Sequence, residues 1–274
     1  MNPWVTAVIV IGATAIAVGV FLVIRRYAPE DGFFADGDRA AGVFGVLATG
    51  FAVLLGFVVY LAFLSYDTAR SGAREESSDL IQQYEIAQLL PHPASARLSG
   101  LLICYGRAVV GVEWPDLQAG HKPEFNPWGV PLFAVFKTVQ PKTPAQQNGS
   151  YPKWLDLTSD REQARLDRVQ AGSHVIPAPL WVLLFVTAAL VLVFSLLFAD
   201  RSEGWLPQVV IAGSLVAMLV TSLLVIRFLD HPYAKGVGSL KPTDMTRVLA
   251  QIDQGSRALG IRVPVPCDRA GRPL

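Results

Sequence analysis

The stretch Ala40 to Tyr66, AAGVFGVLATGFAVLLGFVVYLAFLSY, carries no charged side chain, and it runs without a proline into Asp67 to Leu90, DTARSGAREESSDLIQQYEIAQLL. A bilayer is spanned by about 20 apolar residues in a helix, so the first part is long enough to cross one. Barrel strands alternate and do not stay apolar for this long, which excludes a β-barrel. With no breaker between the two parts, a single helix is predicted from about residue 42 to about 90, its polar half outside the membrane. Pro91-His-Pro93 stops it.

Three further charge-free runs surround this one: Met1 to Ile24, Val175 to Ala199 and Trp205 to Ile226. The 274 residues are 52% hydrophobic and 16% charged, with a mean hydropathy of +0.40. A soluble domain carries about 25% charge, so a soluble globular enzyme is excluded. The first run resembles a signal peptide in position only, because no lysine or arginine precedes it and Arg25-Arg26 stand where a small-residue cleavage site would be. It reads as a retained span. The fold class is therefore all-α: a polytopic membrane protein with four transmembrane helices in two hairpins and a helical cytoplasmic region between them. The organisation follows as residues 1–65, first transmembrane hairpin; 66–176, cytoplasmic helical region; 177–229, second hairpin; and 230–274, cytoplasmic tail, disordered at its end.

Short connections, Arg25 to Ala41 and Asp200 to Gly204, place both hairpin loops on one side, and the middle region and C-terminus on the other. Near the membrane, the second side holds Arg70, Arg74, Arg161, Arg165, Arg168, Lys235, Lys241 and Arg247, against Arg25, Arg26, Arg39 and Arg201 on the hairpin side. The positive-inside rule then predicts a multi-pass protein of the cell (inner) membrane with the middle region and C-terminus cytoplasmic.

Within the middle region, Leu98, Leu101, Leu102, Tyr105 and Val109 recur at helical spacing and predict a helix over 94–113, ended by Glu113-Trp-Pro115. Residues 115–152 read as irregular, with one short helix within Val130 to Val139 and a surface loop over Thr138 to Ser150. Ser159-Asp-Arg-Glu162 has capping-box spacing and predicts a helix from there to about 171. From Pro264 onward the tail reads as disordered. Cys104 and Cys267 lie far apart and outside any CxxC spacing, which argues against both a disulfide scaffold and a structural zinc site.

A search for chemistry finds no GxSxG, HExxH, GxxxxGK[ST] or GxGxxG, and His92, His121, His174 and His231 are scattered. No catalytic residue, metal ligand or cofactor site is predicted, and the chain is not read as an enzyme. With 23 basic and 22 acidic side chains it shows no footprint for nucleic acid. The second span is more informative. At 100° per residue, Thr49, Ala52, Gly56, Tyr60 and Phe63 fall within about 80° of one another, and Leu47, Leu54, Val58 and Leu61 lie opposite. One face is small, hydroxylated and aromatic, as a pore-lining surface would be, and the other suits lipid. Carried onward, the small face meets Asp67, Arg70 and Arg74, which fit a pore mouth that draws small anions. The commoner use of small residues in a membrane is close helix packing, with Asp67 and Arg70 as an ordinary i,i+3 pair. Both readings stand on the sequence alone.

The segments Gly56-Phe-Val-Val-Tyr60 through Tyr66-Asp-Thr-Ala-Arg70, Glu75-Glu-Ser77 with Leu80 and Tyr84, Leu89-Leu-Pro91, Tyr105 and Glu113-Trp-Pro115 form a pattern of many weak positions. Arg161 to Arg168, Ile176-Pro-Ala-Pro-Leu-Trp181, Leu229-Asp-His-Pro232 and Lys241-Pro242 extend it. Together they resemble the bestrophin-like membrane proteins of unknown function found in bacteria and plants, over about residues 40–253. The resemblance implies a four-span subunit assembled as a homo-oligomeric ring, with the second helix nearest the axis, as in bestrophin anion channels. Its partners would be the lipid bilayer, further copies of itself and small anions. The family's acidic calcium clasp has no counterpart, since Asp230, Asp244 and Asp253 are isolated in the sequence, so calcium gating is not implied. The alternative is a non-conducting membrane scaffold or sensor whose cytoplasmic helices bind a partner protein.

Overall fold

The computed structural model describes residues 3–29, 32–172, 176–260 and 263–274. The chain divides into two compact units. Unit 1 comprises residues 1–64, 174–231 and 236–238; unit 2 comprises residues 65–173, 232–235 and 239–274.

Unit 1 contains α1 (Pro3–Tyr27), the first part of α2 (Gly37–Gln88), α7 (Ala178–Leu197) and α8 (Trp205–Leu229). These four helices are long and apolar enough to cross a membrane. α1 lies antiparallel along α8, and a Cβ added at Gly213 would make ordinary contacts with Val18 (3.4 Å) and Thr14 (3.5 Å). At one end of this unit the Arg25 guanidinium donates to the carbonyl oxygens of Asp200 (3.0 Å) and Glu203 (2.5 Å). The rings of Phe34 and Phe44 meet Phe198 at 5.2 and 5.5 Å. The connections that follow α1 and α7 therefore share that end, closed over the small core of Phe21, Ala199 and Ala212.

Unit 2 holds the remainder of α2 together with α3 (Ala94–Ala108), α4 (Trp114–Gln118), α5 (Gly129–Phe136), α6 (Tyr151–Ala171) and α9 (Thr243–Ala258). Its core gathers Leu80, Tyr84, Leu98, Leu102, Tyr105, Trp114, Trp128, Trp154, Met245 and Ile252. All five apolar positions that predict the 94–113 helix, from Leu98 to Val109, are buried. Leu132 and Phe136 of α5 point inward, and the Phe136 ring stacks on Tyr151 (4.7 Å) and Trp154 (5.3 Å).

Four expectations are corrected. Glu113-Trp-Pro does not end its helix: a π-helical turn over Val109–Glu113 passes directly into α4, and Pro115, which has no amide to donate, stands just after that widened turn. Ser159 is no cap. α6 already begins at Tyr151, with Pro152 in its first turn, and Ser159 lies in its interior. The cysteines are bonded, Cys104 to Cys267, with Cα atoms 5.8 Å apart across 163 residues of sequence, a distance at which spacing patterns carry no information. The tail beyond Pro264, finally, is folded. Asp268 Oδ1 accepts from the amides of Ala270 (2.9 Å) and Arg272 (2.8 Å), which closes a tight turn, and Trp128 Nε1 donates to Gly271 O (2.7 Å). Gly271 has φ +81°, and a Cβ on it would lie 2.2 Å from the Ala108 amide nitrogen, so glycine is required on both counts.

Candidate functional site

On α2 inside unit 1, Phe51, Leu55, Val58 and Ala62 are buried, a run spaced by three and four residues that faces the rest of the unit. The aliphatic side expected to meet lipid is thus partly internal, with Val58 fully so and Leu47, Leu54 and Leu61 half-buried. Thr49, Ala52, Gly56, Tyr60 and Phe63 all lie on the exposed side, Tyr60 at 57% and Phe63 at 52%. A Cβ added at Gly56 would meet nothing within 4 Å, and the same holds at Gly42, Gly45 and Gly50. Close packing within this chain is therefore not what those small residues serve. Gly72, later on the same helix, supplies the contrast: a Cβ there would lie 2.7 Å from both the Ala164 carbonyl oxygen and the Arg168 amide.

In unit 2, Asp67, Arg70 and Arg74 are all exposed. Among the described residues no ion pair joins Asp67 to Arg70, while Arg74 approaches Asp244 at 3.9 Å and Arg247 holds the same carboxylate at 3.0 Å. Such exposed pairs contribute at most about 1 kcal/mol and leave the arginines available to solvent.

The other polar concentration is internal, and sequence reasoning missed it. Arg168, fully buried on α6, donates from Nε to Glu76 of α2 and from Nη2 to both Glu76 (3.1 Å) and Glu113 (2.6 Å). Arg165 Nε donates to both oxygens of Glu113 at 3.2 and 3.3 Å, and Asn126 Nδ2 donates to Glu113 Oε1 at 2.8 Å. The Tyr105 hydroxyl donates to Glu76 Oε1 at 2.7 Å, and Arg161 lies over the Tyr105 ring, 4.3 Å from its centre, while donating to Gln83 Oε1 at 2.8 Å. The π-helical turn at 109–113 ends at Glu113, whose carboxylate it delivers to this cluster. Burial raises the Tyr105 hydroxyl pKa well above its ordinary value, and the neighbouring Glu76 adds to the effect. Burial acts to lower Arg168, but the charges of Glu76 and Glu113 outweigh it, and the guanidinium pKa is raised.

This cluster joins α2, α3 and α6 through charge-assisted bonds, and nothing in its geometry presents a nucleophile with a base. No group of three or more potential metal ligands occurs among the described residues. It is a clamp. The signal was available in the spacing: Trp154, Leu157, Arg161, Arg165 and Arg168 share one helical face, so three arginines continue the line of two buried apolar residues. It also alters the charge balance. Arg165 and Arg168 are paired with Glu113 and Glu76 inside unit 2, and Arg161 is buried against Gln83 and the Tyr105 ring, so three of the eight basic residues counted near the membrane there are internal.

Similar folds exist among solved structures. Two variants of a bacterial bestrophin homologue from Klebsiella pneumoniae superpose with TM-scores of 0.64 and 0.63, at 11% and 12% sequence identity, over 89% and 92% of this chain and 98% of each of those chains. A further structure, described only as a membrane protein, matches with a TM-score of 0.64 at 11% identity, over 89% of this chain and 97% of that one. No curated protein matches in sequence. A family model for the Bestrophin-like domain matches residues 11–244. With apolar helices of spanning length, the bestrophin fold and a family match over most of its length, this chain is a membrane protein belonging to the bestrophin-like family.

Proposed function

We propose that the chain is a four-span, two-hairpin subunit of a homo-oligomeric channel for small anions, its pore lined by Thr49, Ala52, Gly56, Tyr60 and Phe63. The observation that supports this reading is the exposure of all five positions on one face of α2, with no neighbour in the chain to explain the small residues. In a ring of copies such a face has two uses, contact between neighbours or lining of an axial opening, and the succession of small residues by Tyr60 and Phe63 favours an opening with a narrow aromatic part at one end. Asp67, Arg70 and Arg74 would stand at its mouth. Each arginine recurs once per subunit, so a local positive potential builds up although the chain's net charge is only +1. Salt screens it over roughly 8–10 Å.

Planar bilayers containing the purified oligomer test the reading. Phe63→Ala is expected to raise conductance, and Arg70→Glu with Arg74→Glu to lower the preference for chloride over sodium. If wild type and Phe63→Ala are both silent across voltage, pH and calcium while still oligomeric, the scaffold reading replaces this one.

A further inference from the structure

The clamp of unit 2 gathers more positive charge than negative. Three guanidinium groups, Arg161, Arg165 and Arg168, meet two carboxylates, Glu76 and Glu113, which leaves one positive charge in excess. Glu113 is shared between Arg165 and Arg168, and Glu76 accepts from both Arg168 and the Tyr105 hydroxyl. Arg161 is left with the neutral Gln83 oxygen and the face of the Tyr105 ring. Asp79, the next carboxylate within its field, makes no ion pair with it among the described residues. Arg165 reaches the edge of the unit, with 11% of its side chain exposed, whereas Arg161 and Arg168 are 1% and 0% exposed. A buried ion without a counter-charge costs several kcal/mol.

The hydrogen bonds fall short in the same place. Arg168 Nη1, Arg161 Nε and Trp114 Nε1 are all buried and meet no acceptor among the described residues. The Arg168 guanidinium stands 5.6 Å from the centre of the Trp114 ring, so two of these three N–H groups are neighbours. Native interiors leave very few buried donors unbonded. A water molecule accepts from such donors but carries no charge. An anion meets both shortages at once. It has to be small, because the rings of Tyr105, Trp114 and Tyr233 close round the arginines, and monovalent, because the excess charge is one.

We infer that Trp114 Nε1 and Arg168 Nη1 bind a small monovalent anion of the halide class inside unit 2, where the uncompensated charge of Arg161 holds it. The site belongs to unit 2 and the proposed pore face to unit 1, and the inference stands whether or not the chain conducts. Its consequence is that the fold of unit 2 draws stability from the halide around it, since a ligand bound only by the folded state stabilises that state.

The purified full-length chain in mild detergent tests the site, with chloride exchanged for gluconate at constant ionic strength. The tryptophan-fluorescence melt should rise saturably, by about 3–5 °C for each tenfold increase in chloride beyond half-saturation. Bromide should act as chloride does, and gluconate should not. Trp114→Phe keeps the ring and removes the N–H, while Trp128 and Trp154 still report the melt; half-saturation should then need at least about tenfold more chloride. Arg161→Gln removes the excess charge and should abolish the response. In crystals of wild type grown with bromide, an anomalous peak should lie against Trp114 and Arg168, a readout that needs no variant. Equal melts in chloride and gluconate, a chloride response that wild type and Trp114→Phe share, or a map without that peak each overturn the site. So does a bromide peak without stabilisation, which marks an adventitious ion only.

Discussion

One helix shows two opposite solutions to burial. In its first half α2 turns Phe51, Leu55, Val58 and Ala62 inward and leaves Thr49, Gly56 and Tyr60 outside; in its second half it buries Glu76, Ser77 and Gln83 and exposes Asp67, Arg70 and Arg74. The apolar half has nothing polar to satisfy and packs by shape alone. The polar half holds charges that are tolerable inside only because each meets opposite charge or a hydrogen-bond partner, since an isolated buried ion costs several kcal/mol. The lesson concerns exposure. In the first half small and aromatic residues stand outside beside Val46, Val53 and Phe57, and in the second half charged and polar residues are taken inside beside Leu80 and Tyr84. The two halves point to different duties, one facing outward to something beyond the chain and one fastening the fold.

The sharpest way to break this contrast is to remove a member of the clamp. Arg168→Met leaves Glu76 and Glu113 without their shared cation, and breaking a buried pair in this way costs about 3–5 kcal/mol. Trp114, Trp128 and Trp154 are buried in unit 2, so a fluorescence melt in mild detergent should show a large fall in its midpoint. A shift no larger than that of an exposed substitution such as Arg70→Met would mean the cluster does not fasten the unit.

A smaller effect is expected from the paired substitutions Gly72→Val and Gly56→Val. The first forces backbone apart on both sides of an added Cβ, and overpacking of this kind costs about 1–3 kcal/mol. The second meets open space and should shift the melt by less than about 0.5 kcal/mol. If Gly56 faces a pore, single-channel current should nevertheless fall steeply in that variant while oligomer size is unchanged. Equal melts for the two variants would remove the distinction between the halves.

The smallest effect lies in alkaline stability. The Tyr105 hydroxyl pKa is raised in the folded chain, so its contribution is fully present below the unfolded value of about 10 and is lost as pH climbs toward the folded value. Tyr105→Phe should therefore melt about 1 kcal/mol below wild type at neutral pH, for the lost bond to Glu76, and the gap should narrow above pH 10. A gap that stays constant would mean that Tyr105 does not report on the clamp.

The spanning helices were legible because absence of charge over twenty residues has a single physical meaning, and the break at Pro91–Pro93 because proline cannot continue a helix. The exposed α2 face is legible as a pattern, though its freedom from packing within the chain is a tertiary property that no local pattern carries. The clamp is hidden because an arginine near a membrane has the sequence signature of surface charge, and only the line it continues from Trp154 and Leu157 sets these three apart. The folded tail was hidden for another reason. Asp268-Arg-Ala-Gly271 carries a turn signal, aspartate first and glycine fourth, but a turn alone does not disclose what it rests on. The bridge joins residues 163 positions apart, and no local pattern reaches that far.

That bond turns residues 104 to 267 into a closed covalent loop which includes both α7 and α8. A protease that cuts the exposed connection at Arg201 would open the loop without releasing either piece. The nicked molecule would migrate as one band on a gel run without reductant and as two when reduced. The molecule thus behaves like a clasped bracelet: one cut leaves it on the wrist, and separation takes a second cut or an opened clasp.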